Sequence, residues 1–332
     1  MKRALFLVPA ILLGFVSSTD AQVNLSSREK FASASIKGHL DKLRGEIKAK
    51  KKKFTVGYTT AMDLKLTDLA RTTPPADLPK VASEQNAKAI PLVTKFMKGK
   101  AQGGGSAAAC DPKATAFDWR SKGKLTPIRQ QGNCGSCWSF TGSAAFEGSY
   151  AIVNGKTIDA SEQEVLDCAK NKNGTDAGSC GGGWYAGVFD HFIANGAHDE
   201  ASVPYKGKEQ SCGGSAGGFH AETWGYVKND GSTPSPAEMK DALCKYGPLA
   251  TTVYVTDAFM AYTGGVFDEF PDLPNAKTVN HGVTLVGWDE AKQAYLIKNS
   301  WGSGWGDDGY IWVAYGSNNV GYGSAWVLAK KE

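Results

Sequence analysis

The seven cysteines constrain the fold of this 332-residue chain more than any other feature. All of them lie at or after Cys110, so residues 22–109 contain none. In an oxidising compartment most would pair. Because seven is odd, at least one thiol stays unpaired, and such a thiol is a candidate reactive group.

The first 21 residues indicate export. Lys2 and Arg3 precede an apolar run over residues 4–16, and small residues follow at 19–21. A basic start, a short apolar core and a small-residue exit are typical of a secretory signal peptide. An uncleaved membrane tether is the alternative, but the run is short for a bilayer span. We expect an extracellular, lysosomal, vacuolar or periplasmic protein with no membrane association once the signal is removed.

Charge divides the remaining chain into two parts. Hydrophobic residues make up 42% of the sequence, which excludes general disorder, and the small net charge of +4 does not indicate a nucleic-acid partner. Residues 22–109 contain 17 Lys and Arg against 7 Asp and Glu, a net charge of +10, whereas residues 110–332 carry −7. We therefore predict a domain boundary near residue 109.

The basic part, residues 22–109, is expected to combine a helix with extended and flexible stretches. Residues 26–53 predict a helix, with the Lys run at 50–53 read as a solvated face rather than a membrane or nucleic-acid patch. Residues 72–75 and Pro79 predict an extended stretch. Residues 103–109, rich in Gly, Ser and Ala, predict a flexible linker. The apolar positions at helical spacing are Ile36, Leu40, Leu43 and Ile47.

The densest motif is residues 131–140, which contain Cys134 and Cys137 in a C-x-x-C spacing. A zinc site would need further ligands, and neither a second C-x-x-C nor an H-x₃₋₅-H pattern is present. A redox pair would normally follow a strand, and residues 124–128 are only weakly strand-like. The residues after Cys137 predict a helix. Its first turn would favour a thiolate. The expected buried stripe of this helix is Phe140, Ala144, Ala145 and Val153, with Glu147 between them.

Among the five histidines, His281 has the most informative context. It precedes an apolar strand pattern over residues 282–288, and a second strand over 295–298 ends at Asn299. A hairpin would bring His281 beside Asn299, whose amide oxygen would fix the imidazole tautomer. On this pattern alone, a purely structural histidine remains an alternative.

These motifs together resemble the papain-like cysteine proteases of the cathepsin group. Residues 134–138 match the local signature C-G-[SA]-C-[WY]. The resemblance covers about residues 112–328. The other similar blocks, in the family's order, are residues 118–120, 161–168, 180–183, 280–283 and 299–306.

The resemblance implies an α+β, papain-like two-lobe fold. A helical lobe would begin at Cys137, a β-barrel-like lobe would follow, and the active-site cleft would lie between them. Residues 1–21 would be the signal peptide, 22–109 a basic propeptide and 110–332 the peptidase domain. The strands predicted for the β-rich lobe are residues 249–255, 282–288, 295–298 and 310–315.

The resemblance also implies catalytic roles. Cys137 would be the nucleophile and His281 its imidazolium partner, oriented by Asn299, while Trp301 would shield that contact from water. The Gln131 side chain and the Cys137 N–H would form an oxyanion hole, and peptide hydrolysis would pass through a thioester. A His-paired thiolate of this kind titrates at about 3–4. No metal or cofactor is implied.

The family pattern pairs Cys134 with Cys180 and Cys168 with Cys212, which leaves Cys137 free. Of the remaining two, we predict a bond between Cys110 and Cys244, although spacing alone does not exclude other pairings.

Substrate binding is expected along the two glycines Gly182 and Gly183, where a peptide backbone can approach closely. The side chains lining the P2 pocket carry no charge, so we expect an apolar or aromatic P2 residue, although some of these aromatics could be core residues. We expect protein and peptide substrates, the chain's own propeptide as an intramolecular inhibitor, and a monomer. By family position the P2 pocket is Trp184, Tyr185, Thr252, Val279 and Ala325.

Several alternatives stay open at this stage. A catalytically silent papain-fold binding or storage protein would be expected to lack Cys137, His281 or Gln131, and all three are present. The basic segment could instead aid folding or targeting, since residues 54–57 only loosely match one propeptide motif. Residues 171–177 extend the usual interval between two cysteines and are predicted to be a solvated loop.

Overall fold

The computed structural model describes residues 25–102, 110–270 and 278–332. The predicted signal peptide and the Gly/Ser/Ala linker at 103–109 lie outside these ranges. The side chains of residues 99–102 are likewise not described. Below, "N-terminal segment" denotes residues 25–102 and "main domain" denotes the described residues from 110 onward.

Helices and strands alternate irregularly along the described chain, as expected for an α+β fold. The helices are α1 (Leu25–Lys30), α2 (Ala34–Ala49), α3 (Leu66–Leu69), α4 (Leu78–Gln102), α5 (Cys137–Asn154), α6 (Glu162–Cys168), α7 (Ala186–Ala194), α8 (Pro236–Tyr246) and α9 (Asp257–Met260). The strands are β1 (Phe54–Val56), β2 (Ala116–Asp118), β3 (Gly178–Ser179), β4 (Gly182–Gly183), β5 (Ala221–Tyr226), β6 (Leu249–Val253), β7 (Tyr262–Phe267), β8 (His281–Asp289), β9 (Ala294–Lys298), β10 (Tyr310–Ala314) and β11 (Ala325–Ala329).

One large sheet organises the main domain. Its strand order is β1-β7-β10-β9-β8-β6-β11-β5, with β2 paired to β8, and β3 and β4 form a separate small ribbon. Four of its strands, β6, β8, β9 and β10, match the predicted ones to within about two residues at each end. Strands β6 and β9 are buried at every position, including the polar residues Thr251, Thr252 and Lys298.

Helix α5 packs against both the sheet and the other helices. It contacts β8 and β11 on one side and α7 and α6 on another. As a result it is buried nearly all round, and Glu147, expected to be a polar interruption of the stripe, is only 3% exposed. The Glu147 carboxyl group accepts the Ala160 N–H at 2.9 Å, so this buried polar group has a hydrogen-bond partner. As a result of this packing, the first residues of α5 lie buried inside the protein.

Three disulfides connect described residues, and they are the pairs expected from the sequence. Cys134 bonds Cys180, Cys168 bonds Cys212, and Cys110 bonds Cys244 in α8. The last bond closes a loop of 134 residues, so it restricts the unfolded chain strongly. Over the described ranges, no helix is both long and apolar enough to cross a membrane.

The helix predicted over residues 26–53 is in fact two shorter helices. The Ser33 side chain accepts the Ile36 N–H and caps α2, which separates it from α1. Helix α2 ends at Ala49, before the lysine run. Leu40 and Leu43 are buried as predicted. The chain then adds β1 antiparallel to β7 at one end of the sheet.

Helix α4 contradicts the extended stretch predicted around Pro79. Pro79 lies in the first turn of α4, where a missing N–H breaks no helical hydrogen bond. Pro91 lies inside the same helix, so neither proline ends it. Only residues up to Pro75 are extended. The buried positions of α4 recur every three or four residues: Leu78, Ala82, Gln85, Ala89 and Val93.

Candidate active site

Cys137 is the first residue of α5 and is completely buried. It is the free cysteine of the chain, because Cys134 is bonded to Cys180. The C-x-x-C spacing therefore contains one disulfide-bonded and one free sulfur, and these two cysteines are not bonded to each other. Within the described ranges, no group of His, Cys, Asp or Glu side chains is arranged to hold a metal ion.

The hairpin of β8 and β9 places His281 beside Asn299. Nε2 of His281 lies 2.8 Å from Oδ1 of Asn299. Nδ1 of the same ring is buried and is bonded to no group other than the Cys137 thiol among the described residues, so this nitrogen is the one that acts on the thiol. The Trp301 ring lies 4.7 Å from the imidazole and is 1% exposed, so it excludes water from the His281–Asn299 contact.

The surroundings of Cys137 lower the pKa of its thiol to about 7. Burial acts in the opposite direction, but it is outweighed by the hydrogen bond and charge of His281, by the Thr72 hydroxyl and by the Gly282 N–H. This pKa is higher than the expected 3–4. Burial of the thiol is the cause that acts upward on this pKa.

Gln131 has the geometry of an oxyanion-binding side chain. It is fully buried, and Ser300 donates its hydroxyl to Oε1 at 2.8 Å, which fixes the orientation of the amide. Nε2 then donates to Cys134 O at 2.8 Å and to Leu69 O at 3.0 Å. The second acceptor is a backbone carbonyl of the N-terminal segment.

The N-terminal segment passes through this site as extended backbone. Thr72 N–H donates to Asn280 O at 2.8 Å, and Thr73 N–H donates to Gly183 O at 3.0 Å. Gly183 N–H in turn donates to Arg71 O at 3.3 Å. Thr72 and Gly183 form a parallel bridge. The two glycines predicted to bind peptide backbone therefore contact the chain's own backbone.

Close approach at β4 depends on the missing side chain of Gly182. A Cβ on this residue would lie 2.2 Å from Arg71 O, and the backbone has φ of +121°. Both facts favour glycine. The residue after Arg71, Thr72, contacts Cys137: its Oγ1 lies 3.3 Å from the sulfur.

Most residues assigned to the P2 pocket are deeply buried in this structure. Tyr185, Thr252 and Ala325 are 0% exposed, whereas Val279 is half-buried. Tyr185 donates its hydroxyl to Gly323 O at 2.5 Å, and its ring stacks on Trp184 with centroids 4.2 Å apart. Tyr185 therefore packs as a core residue while the N-terminal segment is in place.

Sequence reasoning missed two side chains at the site. Ser300 orients Gln131 and directly follows Asn299, so its position in that motif could have identified it. Thr72 contacts the thiol but belongs to a stretch with no distinctive pattern, so the sequence carried no signal for it.

Comparison with known proteins identifies the family. The profile of the papain family cysteine proteases matches residues 113–329, so the chain belongs to this family. Digestive cysteine proteinase 3 of Homarus americanus is 36% identical over 224 residues, which cover 65% of this chain and 67% of that protein. Pro-cathepsin H of Mus musculus is 35% identical over 217 residues, 63% of each chain. The chain thus matches about two thirds or less of the length of these relatives.

Solved structures extend the similarity to the N-terminal segment. Digestive procathepsin L 3 of Tenebrio molitor superposes with a TM-score of 0.68 at 22% identity and covers 92% of this chain and 96% of that one. Bromelain of Ananas comosus, solved with the E64 inhibitor, has a TM-score of 0.57 at 31% identity and covers 65% of this chain and 99% of that one. The papain-like fold is therefore shown, with an N-terminal segment arranged as in a procathepsin structure.

Proposed function

We propose that this chain is a cysteine endopeptidase that hydrolyses peptide bonds through a thioester intermediate. The observation that carries this proposal is the imidazole of His281, held on Nε2 by Asn299 and free on Nδ1 toward a thiol of lowered pKa. A thiol beside a base that is itself oriented by a third group is the arrangement nucleophilic catalysis requires.

Each step uses residues already described. The Cys137 thiolate attacks the substrate carbonyl carbon, and the resulting oxyanion accepts hydrogen bonds from Gln131 Nε2 and the Cys137 N–H. The C–N bond then breaks as His281 donates its proton to the leaving amine, which leaves a thioester on Cys137. Water, deprotonated by His281, attacks the thioester and releases the acid, and the thiolate–imidazolium pair is restored.

We infer that residues 22–109 are an inhibitory propeptide. The N-terminal segment occupies the cleft in a form that cannot be cut. A cleavable carbonyl must meet the thiol and the oxyanion hole together, yet Gln131 binds Leu69 O while Thr72 presents a hydroxyl to the sulfur. These two residues are three positions apart, so the carbonyl bound by Gln131 does not belong to the residue whose side chain contacts the sulfur.

The charge difference between the segments supports the same role. Few direct ion pairs cross the contact: among the described residues, His39 and Asp257 lie 3.9 Å apart, whereas Arg28–Asp63 and Arg44–Glu29 lie within the N-terminal segment. Attraction between the +10 and −7 parts therefore acts mainly at long range. High salt and protonation of carboxylates at low pH should weaken it.

For substrates we propose an apolar or aromatic P2 residue. The assigned pocket side chains are uncharged, and Thr252 already donates its hydroxyl to Tyr322 O at 2.6 Å, so it offers no free polar group. A panel of peptides varied at P2 tests this, and a preference for Lys or Arg would contradict it. Export is also proposed, supported by the basic and apolar start of the sequence and by the three disulfides.

The decisive experiment is an active-site label. The chain is processed to remove residues up to 109 and treated with an epoxide inhibitor or iodoacetamide. We expect one added label, on Cys137, and a parallel loss of peptidase activity. The Cys137→Ala variant is the control and should take up no label. A label on another residue, or proteolysis that continues after complete labelling of Cys137, would contradict the proposal.

A further inference from the structure

The N-terminal segment contacts both end strands of the large sheet. At one end β1 pairs with β7 as an added strand. At the other end of the strand order lies β5, and no described strand pairs with its outer edge. Helix α4 packs there instead. An uncovered edge strand presents unpaired N–H and C=O groups, so its covering needs a physical explanation.

Two carboxamide side chains of α4 satisfy the outer edge of β5. Asn86 donates from Nδ2 to Tyr226 O at 3.1 Å and accepts the Tyr226 N–H on Oδ1 at 2.8 Å. This is the pair of hydrogen bonds that a neighbouring strand would make. Gln85 donates from Nε2 to Trp224 O at 2.6 Å. The helix therefore replaces a strand by presenting amides from its side chains.

The surface around these bonds is shaped for α4. A Cβ on Gly225 would lie 2.7 Å from Asn86 Oδ1, so glycine lets the amide approach. Leu78, at the start of α4, is 1% exposed and packs on Gly231. Lys172, from the loop predicted to be solvated, donates to Gln85 Oε1 at 2.5 Å.

The hydrogen bonds of α4 and those of the cleft residues go to different partners. Residues 69–73 contact Gln131, Asn280 and Gly183, whereas α4 contacts β5, Gly231 and Lys172. The two parts of the segment are joined through Pro74 and Pro75, which restrict the connecting backbone.

We propose that the outer edge of β5, with Gly231 and Lys172, is a docking site for α4 of the N-terminal segment that is separate from both the cleft and the β1–β7 pairing. It binds α4 whether or not residues 69–73 occupy the cleft. The proposal deepens the propeptide role proposed above and rests on it for its biological meaning. The cleft contact and the β5 contact are then independent of each other, and α4 stays bound after the cleft is vacated.

Hydrogen exchange at two backbone amides tests this in the full-length chain. A Cys137→Ala background prevents self-cleavage, so the result does not depend on catalytic activity. Tyr226 N–H reports the α4 contact and Gly183 N–H reports the cleft contact. Asn86→Ala should speed exchange at Tyr226 on the order of tenfold and leave Gly183 unchanged. Thr72→Pro, which removes the N–H donated to Asn280, should do the reverse. Thr94→Ala on the exposed face of α4 is the matched control and should change neither.

The outcomes separate the possibilities. If Thr72→Pro speeds exchange at both amides equally, α4 depends on the cleft and the proposal is overturned. Unchanged exchange at Tyr226 in Asn86→Ala overturns it as well. Should Thr72→Pro fail to fold, Thr73→Pro, which removes the N–H donated to Gly183, replaces it. A failure of the peptidase proposal would show in the thiol-label experiment and leave these measurements unaffected.

Discussion

Two of the contacts between the N-terminal segment and the main domain, the one in the cleft and the one on β5, are made by different kinds of chemistry. In the cleft the contacts are made almost entirely by backbone groups of residues 69–73. On β5 they are made by the side chains of Leu78, Gln85 and Asn86. The cleft contact therefore tolerates many sequences, whereas the β5 contact requires particular ones.

This difference follows from what each surface must do. A cleft that accepts varied peptides has to bind what all peptides share, which is the backbone, and it does so along Gly182 and Gly183. The β5 edge has a single partner and can use an exact amide pair. Substitutions in residues 71–73 should thus affect inhibition little, whereas changes to the glycines or to the α4 side chains should affect it strongly.

The largest expected effect is on catalysis itself and does not depend on how the N-terminal segment binds. His281→Ala should lower the peptidase rate by at least about 10⁴-fold, because no other group can activate the thiol and protonate the leaving amine. Residues up to 109 are removed with an added protease, so self-processing is not needed. His198→Ala is the matched control, since His198 contacts Glu164 at 2.9 Å in the helical part and should leave the rate unchanged. A fall of less than tenfold for His281→Ala would contradict the assigned role.

Gln131 links catalysis to the cleft contact, because its Nε2 would serve the oxyanion and also binds Leu69 O. Gln131→Ala should lower the rate of the processed enzyme about 10²–10³-fold. In the full chain it should speed hydrogen exchange at Gly183 but not at Tyr226. The neighbouring, exposed Gln130→Ala is the control. A rate within threefold of the parent would remove Gln131 from the oxyanion hole.

The difference between backbone contacts in the cleft and side-chain contacts on β5 also explains how much of the structure the sequence could predict. The four main strands and the His281–Asn299 pair were predictable, because buried strands and a hairpin leave a clear apolar pattern. The path through the cleft was not, since contacts made by backbone leave no trace in residue identity. Thr72 and Thr73 could have been any residues of similar size.

Helix α4 was missed for a different reason. Pro79 and Pro91 are usually helix breakers, and the residues of α4 that bond β5 are the polar Gln85, which is buried, and Asn86, which is half-buried. Their amides fit only because β5 has an unpaired edge, and that edge is formed by residues more than a hundred positions away. The requirement is tertiary, so no local pattern could express it.

Gly182 should be the residue on which the backbone contact depends most. In Gly182→Ala a Cβ would lie 2.2 Å from Arg71 O, at a φ of +121° that side chains rarely adopt. Strain of about 1–3 kcal/mol corresponds to about a 5- to 150-fold larger open population. The rate at which a thiol reagent labels Cys137 in the full chain should rise accordingly. Gly181→Ala, whose Cβ would approach only Ser179 Oγ at 3.0 Å, is the control. Equal labelling rates for the two variants would show that close approach at Gly182 is unimportant.

The smallest expected effect concerns Thr72, whose side-chain hydroxyl contacts the Cys137 sulfur in the cleft. The Thr72 hydroxyl helps to lower the pKa of Cys137 to about 7, so Thr72→Val should raise that pKa while keeping the shape and the backbone contacts. Only the thiolate is alkylated, so the alkylation rate rises as the pH passes the pKa of the Cys137 thiol, about 7 in the parent chain. A higher pKa in Thr72→Val moves this rise to higher pH. At pH 7 we expect labelling of the full chain to fall about three- to tenfold. Thr73→Val is the control, because Thr73 is exposed and the hydroxyl that contacts the sulfur belongs to Thr72. A titration midpoint that stays in place in Thr72→Val would mean that His281 and Gly282 alone set the pKa, and the cleft contact would then be one of backbone only.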